Sequence, residues 1–214
     1  TVADKARSFR QVPTHQHLFF EGDERTHIFV VETGWVKLYR TLIDGQRQVV
    51  GFCNGGSILG LECGEYHVNA CEAVTPVKVR AIPVGRLPEL CTRDPELAGQ
   101  LLRQMGRQLG AAQSQLTTVG AQSADQKLAT FLLAFANYGA PQSGEFDLPM
   151  RRSDIGEFLG LRLETVSRKL SDFQRRKWVR MISLYRCRVL DRDALETLAA
   201  GGEVEDTGFA RAVG

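Results

Sequence analysis

The chain has 214 residues, 43% hydrophobic and 24% charged, with a formal net charge of +2 at pH 7. That is ordinary globular composition for one large or two small domains. No apolar run approaches the roughly 20 residues that a bilayer span needs, and no secretory signal opens the chain. The five cysteines (Cys53, Cys63, Cys71, Cys91, Cys187) lack Cys-x-x-Cys spacing and fit reduced thiols rather than a disulfide framework. A cytoplasmic protein with no membrane partner is therefore expected. The chain begins at Thr1 without a methionine, which leaves room for native residues upstream.

Short apolar runs fill the first ninety residues: His17–Phe20, Ile28–Val31, Trp35–Tyr39, Val49–Phe52 and Val77–Ile82. Turn signals separate them, at 21–23 (Glu-Gly-Asp), 33–34 (Thr-Gly), 44–45 (Asp-Gly) and 54–56 (Asn-Gly-Gly). Asp44-Gly45 between Trp35–Leu42 and Gln46–Phe52 predicts a hairpin, because glycine supplies positive φ at little cost. Many short strands at regular spacing predict a β-barrel or jelly roll.

The period then changes to that of a helix. Asp94 is placed to cap and Pro95 suits the first turn. Leu102, Met105, Leu109, Ala112, Leu116 and Val119 follow at steps of three and four, a seam along a helix of ~26 residues, or ~40 Å. The seam is narrow and its flanks are polar, which favours pairing with a second copy of the chain. Packing on the chain's own barrel is the alternative. A further helix, Ala124 to Tyr138, carries Leu128, Phe131, Leu132 and Phe135 on one face, followed by a polar loop at 139–144 and a short strand at Phe146–Leu148.

Residues 151–173 encode two short amphipathic helices around a tight turn at Gly160. Ile155, Leu159, Leu161, Val166, Leu170 and Phe173 are spaced to share one small core, and Gly156 lets the helices cross closely. The second helix keeps Glu164, Thr165, Ser167, Arg168 and Lys169 off that core, which is how a helix-turn-helix offers side chains to a DNA groove. From Met150 to Arg188 there are eleven Lys or Arg against four acids, a local surplus suited to a polyanion. Trp178–Ile182 and Arg186–Leu190 flank Ser183-Leu184-Tyr185 as a winged hairpin, and 201–214 is expected to be loose.

This order, with Glu-Thr-Val-Ser-Arg opening the second helix, resembles the CRP/FNR superfamily of bacterial transcription regulators. Within it the chain looks most like the FixK and FnrN branch, through Leu-Pro-Met at 148–150 and Gly60-Leu61-Glu62. The resemblance implies an α+β architecture with a β-barrel sensor-like domain at 1–92, a dimerisation helix at 93–121 and a winged helix-turn-helix DNA-binding domain at 122–214. It implies a sequence-specific regulator, an activator rather than an enzyme, reading a palindrome that resembles TTGAT-N4-ATCAA as a homodimer. Glu164, Ser167 and Arg168 would contact bases. Arg151, Arg152, Ser153, Arg162, Leu163, Thr165 and Lys169 would lie at or near the DNA backbone. The base chemistry stands independently, since a guanidinium forks onto guanine O6 and N7 and a carboxylate accepts from cytosine N4. Glu164 and Arg168 share a face, so an intrahelical ion pair is the plainer alternative. Arg162 stands at a cap position where relatives carry Thr or Ser, and Lys169 stands where they are apolar, a place from which it would snorkel to a phosphate. The tip Asp44, Gly45, Gln46 and Arg47 lies where relatives touch RNA polymerase; an ordinary exposed turn is the alternative.

The positions that hold a cyclic nucleotide's phosphate in relatives are Leu61 and Val68-Asn69 here, so no arginine awaits an anion. Arg80 stands where a cluster-binding cysteine is expected, and the haem-ligand positions fall near Gly60 and Glu62. No cofactor and no metal are expected, and DNA binding without a small effector follows. An effector-gated repressor or activator of the same family is the alternative. A thiol such as Cys187, between Arg186 and Arg188, is a candidate for activation by their positive field. The enzyme alternative rests on His15, His17 and Glu21, which match the first metal motif of the cupin barrels, although no companion histidine motif follows.

Overall fold

Strand alternation dictates how the N-terminal part folds. A computed structural model of the chain describes residues 8–137 and 144–204, without the side chains of Ser8, Thr117 and Val119. Its strands are β1 (Ser8–Val12), β2 (His17–Phe19), β3 (His27–Thr33), β4 (Val36–Thr41), β5 (Arg47–Cys53), β6 (Ile58–Leu59), β7 (Ala70–Ala73) and β8 (Val77–Pro83). They form two four-stranded antiparallel sheets, ordered β1-β8-β3-β6 and β2-β7-β4-β5. On β3, Phe29 and Val31 enter a core shared with Phe19, Val36, Leu59, Cys71 and Val79 from both sheets. Its alternate residue Ile28 turns the other way, onto Ile58 and Ile82. Each such fully buried side chain contributes about 1.5–3 kcal/mol, so both faces of this sheet are stabilising. The five expected strands are present. β1, β6 and β7 come in addition; β6 has only two residues, and Ala-Cys-Glu-Ala of β7 has no β-branched or aromatic signal.

After a single turn of 3-10 helix at Val84–Arg86 come α1 (Leu87–Arg93), also unanticipated, and α2 (Pro95–Ala121), 27 residues long. Asp94 Oδ1 accepts the Leu97 N–H at 3.1 Å, the expected cap. Leu87, Leu90 and Leu101 pack onto the Ile28 cluster, so the start of α2 is tied to the sheet behind the barrel core. The chain divides into two compact units, Thr1–Gln113 and Ser114–Gly214, the division falling within α2.

The second unit holds α3 (Ala124–Ala136), β9 (Glu145–Asp147), α4 (Arg152–Leu159), α5 (Leu163–Arg175), β10 (Val179–Ser183), β11 (Arg186–Val189) and α6 (Arg192–Ala199). Ser123 caps α3 reciprocally with Gln126: its Oγ accepts the Gln126 N–H and its N–H donates to Gln126 Oε1. The wing is the antiparallel sheet β10-β11-β9. α6, missed in the sequence, starts from Asp191, whose Oδ1 accepts the Ala194 N–H at 2.9 Å. The expected extension of α3 to Tyr138, the polar loop at 139–143 and the loose end beyond 204 lie outside the described residues. Among the described residues, no helix is long and apolar enough to cross a membrane.

Candidate nucleic-acid interface

The two helices of the 151–175 segment cross where the sequence demands it. A Cβ on Gly156 would sit 2.6 Å from the Leu161 carbonyl oxygen, so only glycine permits this approach. Gly160 turns the chain at φ 65, a left-handed conformation that costs other residues energy. Ile155, Leu159, Val166, Leu170 and Phe173 are all buried as the spacing predicts, and Leu161 is half-buried. At its far end α5 closes on Lys177 at φ 59, with the Trp178 N–H reaching back to the Phe173 carbonyl and the Lys177 N–H to that of Gln174. These bonds satisfy the last carbonyls and aim the chain into the wing.

Burial divides α5 into three faces. Val166, Leu170 and Phe173 face the core; Thr165, Lys169 and Asp172 are half-buried along one edge; Arg162, Leu163, Glu164, Ser167 and Arg168 stand in solvent. Among the described residues neither Glu164 nor Arg168 enters an ion pair, so the intrahelical pair is not formed and both heads are available. Arg162 occupies the N-cap with no side-chain hydrogen bond, as its chemistry requires, because a guanidinium carries no acceptor. α4 is capped differently: the Arg151 N–H donates to the buried Asp154 Oδ2 at 2.9 Å. Ser153 is half-buried beside it.

Three expectations change in the structure. Lys169 finds a protein partner rather than standing clear for a phosphate, its Nζ lying 2.6 Å from Asp125 Oδ2. Arg152 is half-buried, and burial pulls its guanidinium below the usual value beside Cys187. Cys187 is fully buried, and desolvation pushes its thiol up to about 11. Arg186 and Arg188 do not activate it. Both turn to Glu145 on the neighbouring strand β9, Arg186 Nε at 3.5 Å and Arg188 closer still. Alternation along β11 explains this, because the side chains flanking a buried position leave by the opposite face.

The seam of α2 is exposed in the single chain. Leu102, Leu109 and Leu116 recur every seven residues at 70%, 61% and 76% exposure, with Met105 and Ala112 beside them. The Val119 side chain lies outside the described residues. A neighbouring face of the same helix meets its own barrel, through Leu101 and through Gln108 Nε2, 3.0 Å from the Ile58 carbonyl. The helix therefore packs on its barrel without using up the seam.

A cavity of about 250 Å³ opens in the first unit, lined by Phe19, Leu38, Leu59, Leu61, Met105 and Leu109 with Glu62, Asn69 and Gln108 as its polar members. It presents a carboxylate and no cation. Glu62 Oε1 is held at 2.8 Å by His67 Nδ1, and the His67 ring stacks on Phe19 with centroids 3.7 Å apart. The nearby guanidinium, Arg25, is bound to the Gly60 and Gly64 carbonyls. A phosphate monoanion does not fit this donor set. Arg80, at the position where the resemblance implies a cluster cysteine in relatives, pairs with Glu32 at 3.2 Å.

His15 and His17 belong to a different arrangement from the one their spacing suggests. His15 sits in a turn at φ 67 rather than on a strand. Both histidines face Glu72, at 3.4 and 3.8 Å, while Glu21 pairs with Arg40. Glu72 also holds Lys37 at 3.3 Å and Arg47 at 3.6 Å. At the hairpin tip the Leu42 N–H donates to the Gln46 carbonyl, and Asp44 Oδ1 accepts the Gln46 N–H. Arg47 lies back over the Tyr39 ring at 4.7 Å, whereas Ile43, overlooked in the sequence, is fully exposed.

Residues 9–94 match the cyclic nucleotide-binding domain family and residues 126–198 the Crp-like helix-turn-helix domain family. The chain is 35% identical over 189 residues to the nitrogen fixation regulation protein FixK of Bradyrhizobium diazoefficiens, covering 86% of this chain and 78% of that protein. It is 34% identical over 203 residues to the transcriptional activator protein Anr of Pseudomonas aeruginosa, covering 92% and 82%. Among solved structures, FixK2 from Bradyrhizobium japonicum superposes with a TM-score of 0.83 at 30% identity, covering 93% of this chain and 98% of that one.

Proposed function

The chain belongs to the CRP/FNR superfamily of bacterial transcription regulators, near its FixK branch, and on that premise we propose that it activates transcription as a homodimer on a two-fold symmetric DNA site. The observation that carries the reading is the outer face of α5. Arg168 and Glu164 are one turn apart, exposed and, among the described residues, in no ion pair, on a helix whose opposite face is locked in the core. Such a face meets base edges in the major groove, the guanidinium at guanine and the carboxylate at cytosine. Ser167 completes the contact, and Arg151, Ser153, Arg162, Leu163 and Thr165 border it along the backbone. Arg152, half-buried, contributes mainly through the field it adds there.

Pairing through Leu102, Met105, Leu109, Ala112 and Leu116 presents two such helices to half-sites about one helical turn apart. The target resembles TTGAT-N4-ATCAA. The turn at 43–47 serves as the polymerase contact, Ile43 and Gln46 being outward while Arg47 is held by Tyr39 and Glu72.

No small effector is required in this reading. An effector acts only by binding one conformation better than another, and the barrel cavity has no cation with which to hold an anionic nucleotide. The test is a gel-shift titration of metal-free, nucleotide-free protein on the palindrome, under air and under reductant. Specific binding is expected in both. Binding that appears only after cyclic nucleotide, iron or haem is added overturns effector independence.

A further inference from the structure

We propose that Lys169 is a positioning residue, fixing the rotation of α5 through Asp125 rather than gripping a phosphate. The inference rests on α5 being the reading helix. Arg168 and Lys169 are adjacent, and adjacent residues point about 100° apart around a helix. Arg168 takes the open face and Lys169 the edge that meets α3. There its ammonium lies 2.6 Å from Asp125 Oδ2, with the two side chains only 24% and 35% exposed.

Asp125 is well fixed as a partner. It occupies the first turn of α3, where the helix dipole favours a carboxylate, inside the reciprocal Ser123–Gln126 cap. The apolar stripe Val166, Leu170 and Phe173 holds α5 against the core, but such contacts are non-directional and tolerate small rotations. A charge-assisted hydrogen bond is directional. It removes that freedom one residue away from Arg168, so the angle at which the guanidinium enters the groove is set from α3. Asp172 lies on the same edge but is engaged by Arg175 at 2.9 Å, so it does not draw Lys169 away, and Arg176 is over the Trp178 ring, so it does not displace Lys169 from Asp125.

The experiment is a double-mutant cycle: Lys169→Ala, Asp125→Ala, both together, and the exchange Lys169→Asp with Asp125→Lys. Affinity is read on the palindrome and on random duplex across a salt series, with thermal melting to show that each variant is folded. Positioning predicts that either single change weakens specific binding about two- to fivefold per half-site, the scale of a partly exposed ion pair. The double variant is then no weaker than the singles, random-duplex affinity is unchanged, and the exchange restores specificity. A phosphate contact predicts the reverse: Lys169→Ala lowers the salt slope by about one unit on both duplexes while Asp125→Ala is neutral, which overturns the proposal. A wild-type protein that cannot tell palindrome from random duplex refutes the reading helix itself, a result distinct from either.

Discussion

α2 and α5 each leave one face unpacked, and the two faces differ in kind. α2 offers Leu102, Leu109 and Leu116, a row of branched apolar groups with no hydrogen-bonding capacity. α5 offers Glu164, Ser167 and Arg168, a row of donors and acceptors. An exposed apolar row is stabilised by any dry surface of matching shape, and a second copy of the same row always supplies one. A polar row gains little from being covered unless the covering surface matches it group for group, since unpaired polar atoms cost free energy on burial. On the proposed reading, one face therefore selects a second copy of itself and the other selects base edges. The lesson is that the chemistry of the uncovered face, rather than amphipathicity as such, assigns each helix its partner.

The largest expected effect breaks the first half of that comparison. Leu109→Glu puts two charges into a dry seam, at a cost of about 3–5 kcal/mol to the dimer. Sedimentation should show monomer with its fold intact by circular dichroism, and loss of palindrome binding with it. An unchanged dimer would place the interface elsewhere. Gly156→Val attacks the support of α5 instead, forcing a side chain against the Leu161 carbonyl at a cost of about 1–3 kcal/mol in the second unit. DNA affinity should fall while sedimentation still reports a dimer, separating the two faces.

Smaller changes sharpen the same distinction. Arg162→Ser supplies the missing acceptor at the N-cap of α5 and should raise stability by about 1 kcal/mol, read as a higher melting temperature. If Arg162 also touches a phosphate, the salt slope should fall by about one unit at the same time. The pH dependence follows from two desolvated thiols, one partly buried and one buried. Cys53 in one unit and Cys187 in the other are both pushed up to about 11 by desolvation. Each folded thiol keeps its proton at a pH where the unfolded one, near 8.5–9, has lost it. Their contribution is complete below about pH 8 and is lost as pH rises toward 11. Denaturant midpoints should therefore drop across that window, and alkylation of Cys187 at pH 7.5 should be as slow as global unfolding.

Legibility in the sequence followed the strength of each local signal. The α4–α5 pair was readable to the residue, because Gly156, Gly160 and five apolar positions each have one physical use. Asp44-Gly45 gave the hairpin for the same reason. β7 was hidden, since Cys71 and Ala73 are core residues only through pairing with β4. α6 was hidden because only Ala194 and Leu195 are buried, too few to set a period. Site chemistry was less readable where partners are distant. Lys169 and Asp125 are separated by 44 residues, and Glu72 collects His15, His17, Lys37 and Arg47 from one turn and three other strands. Spacing alone ties those histidines to Glu21. The Cys187 expectation failed because sequence neighbours on a strand are spatial opposites.

The central claim is that the face carrying Arg168 and Glu164 reads sequence from a two-fold symmetric dimer. It is tested most directly by selecting random duplexes in parallel with the wild-type protein and with Arg168→Ala, then sequencing what each retains. The account predicts that the wild type enriches an inverted repeat, its half-sites about one helical turn apart and each containing an essential guanine. The variant should retain the symmetry and spacing but lose preference at that guanine, at a cost of about 1–3 kcal/mol per half-site. Enrichment of the same guanine by both proteins, or of no repeat by the wild type, contradicts it.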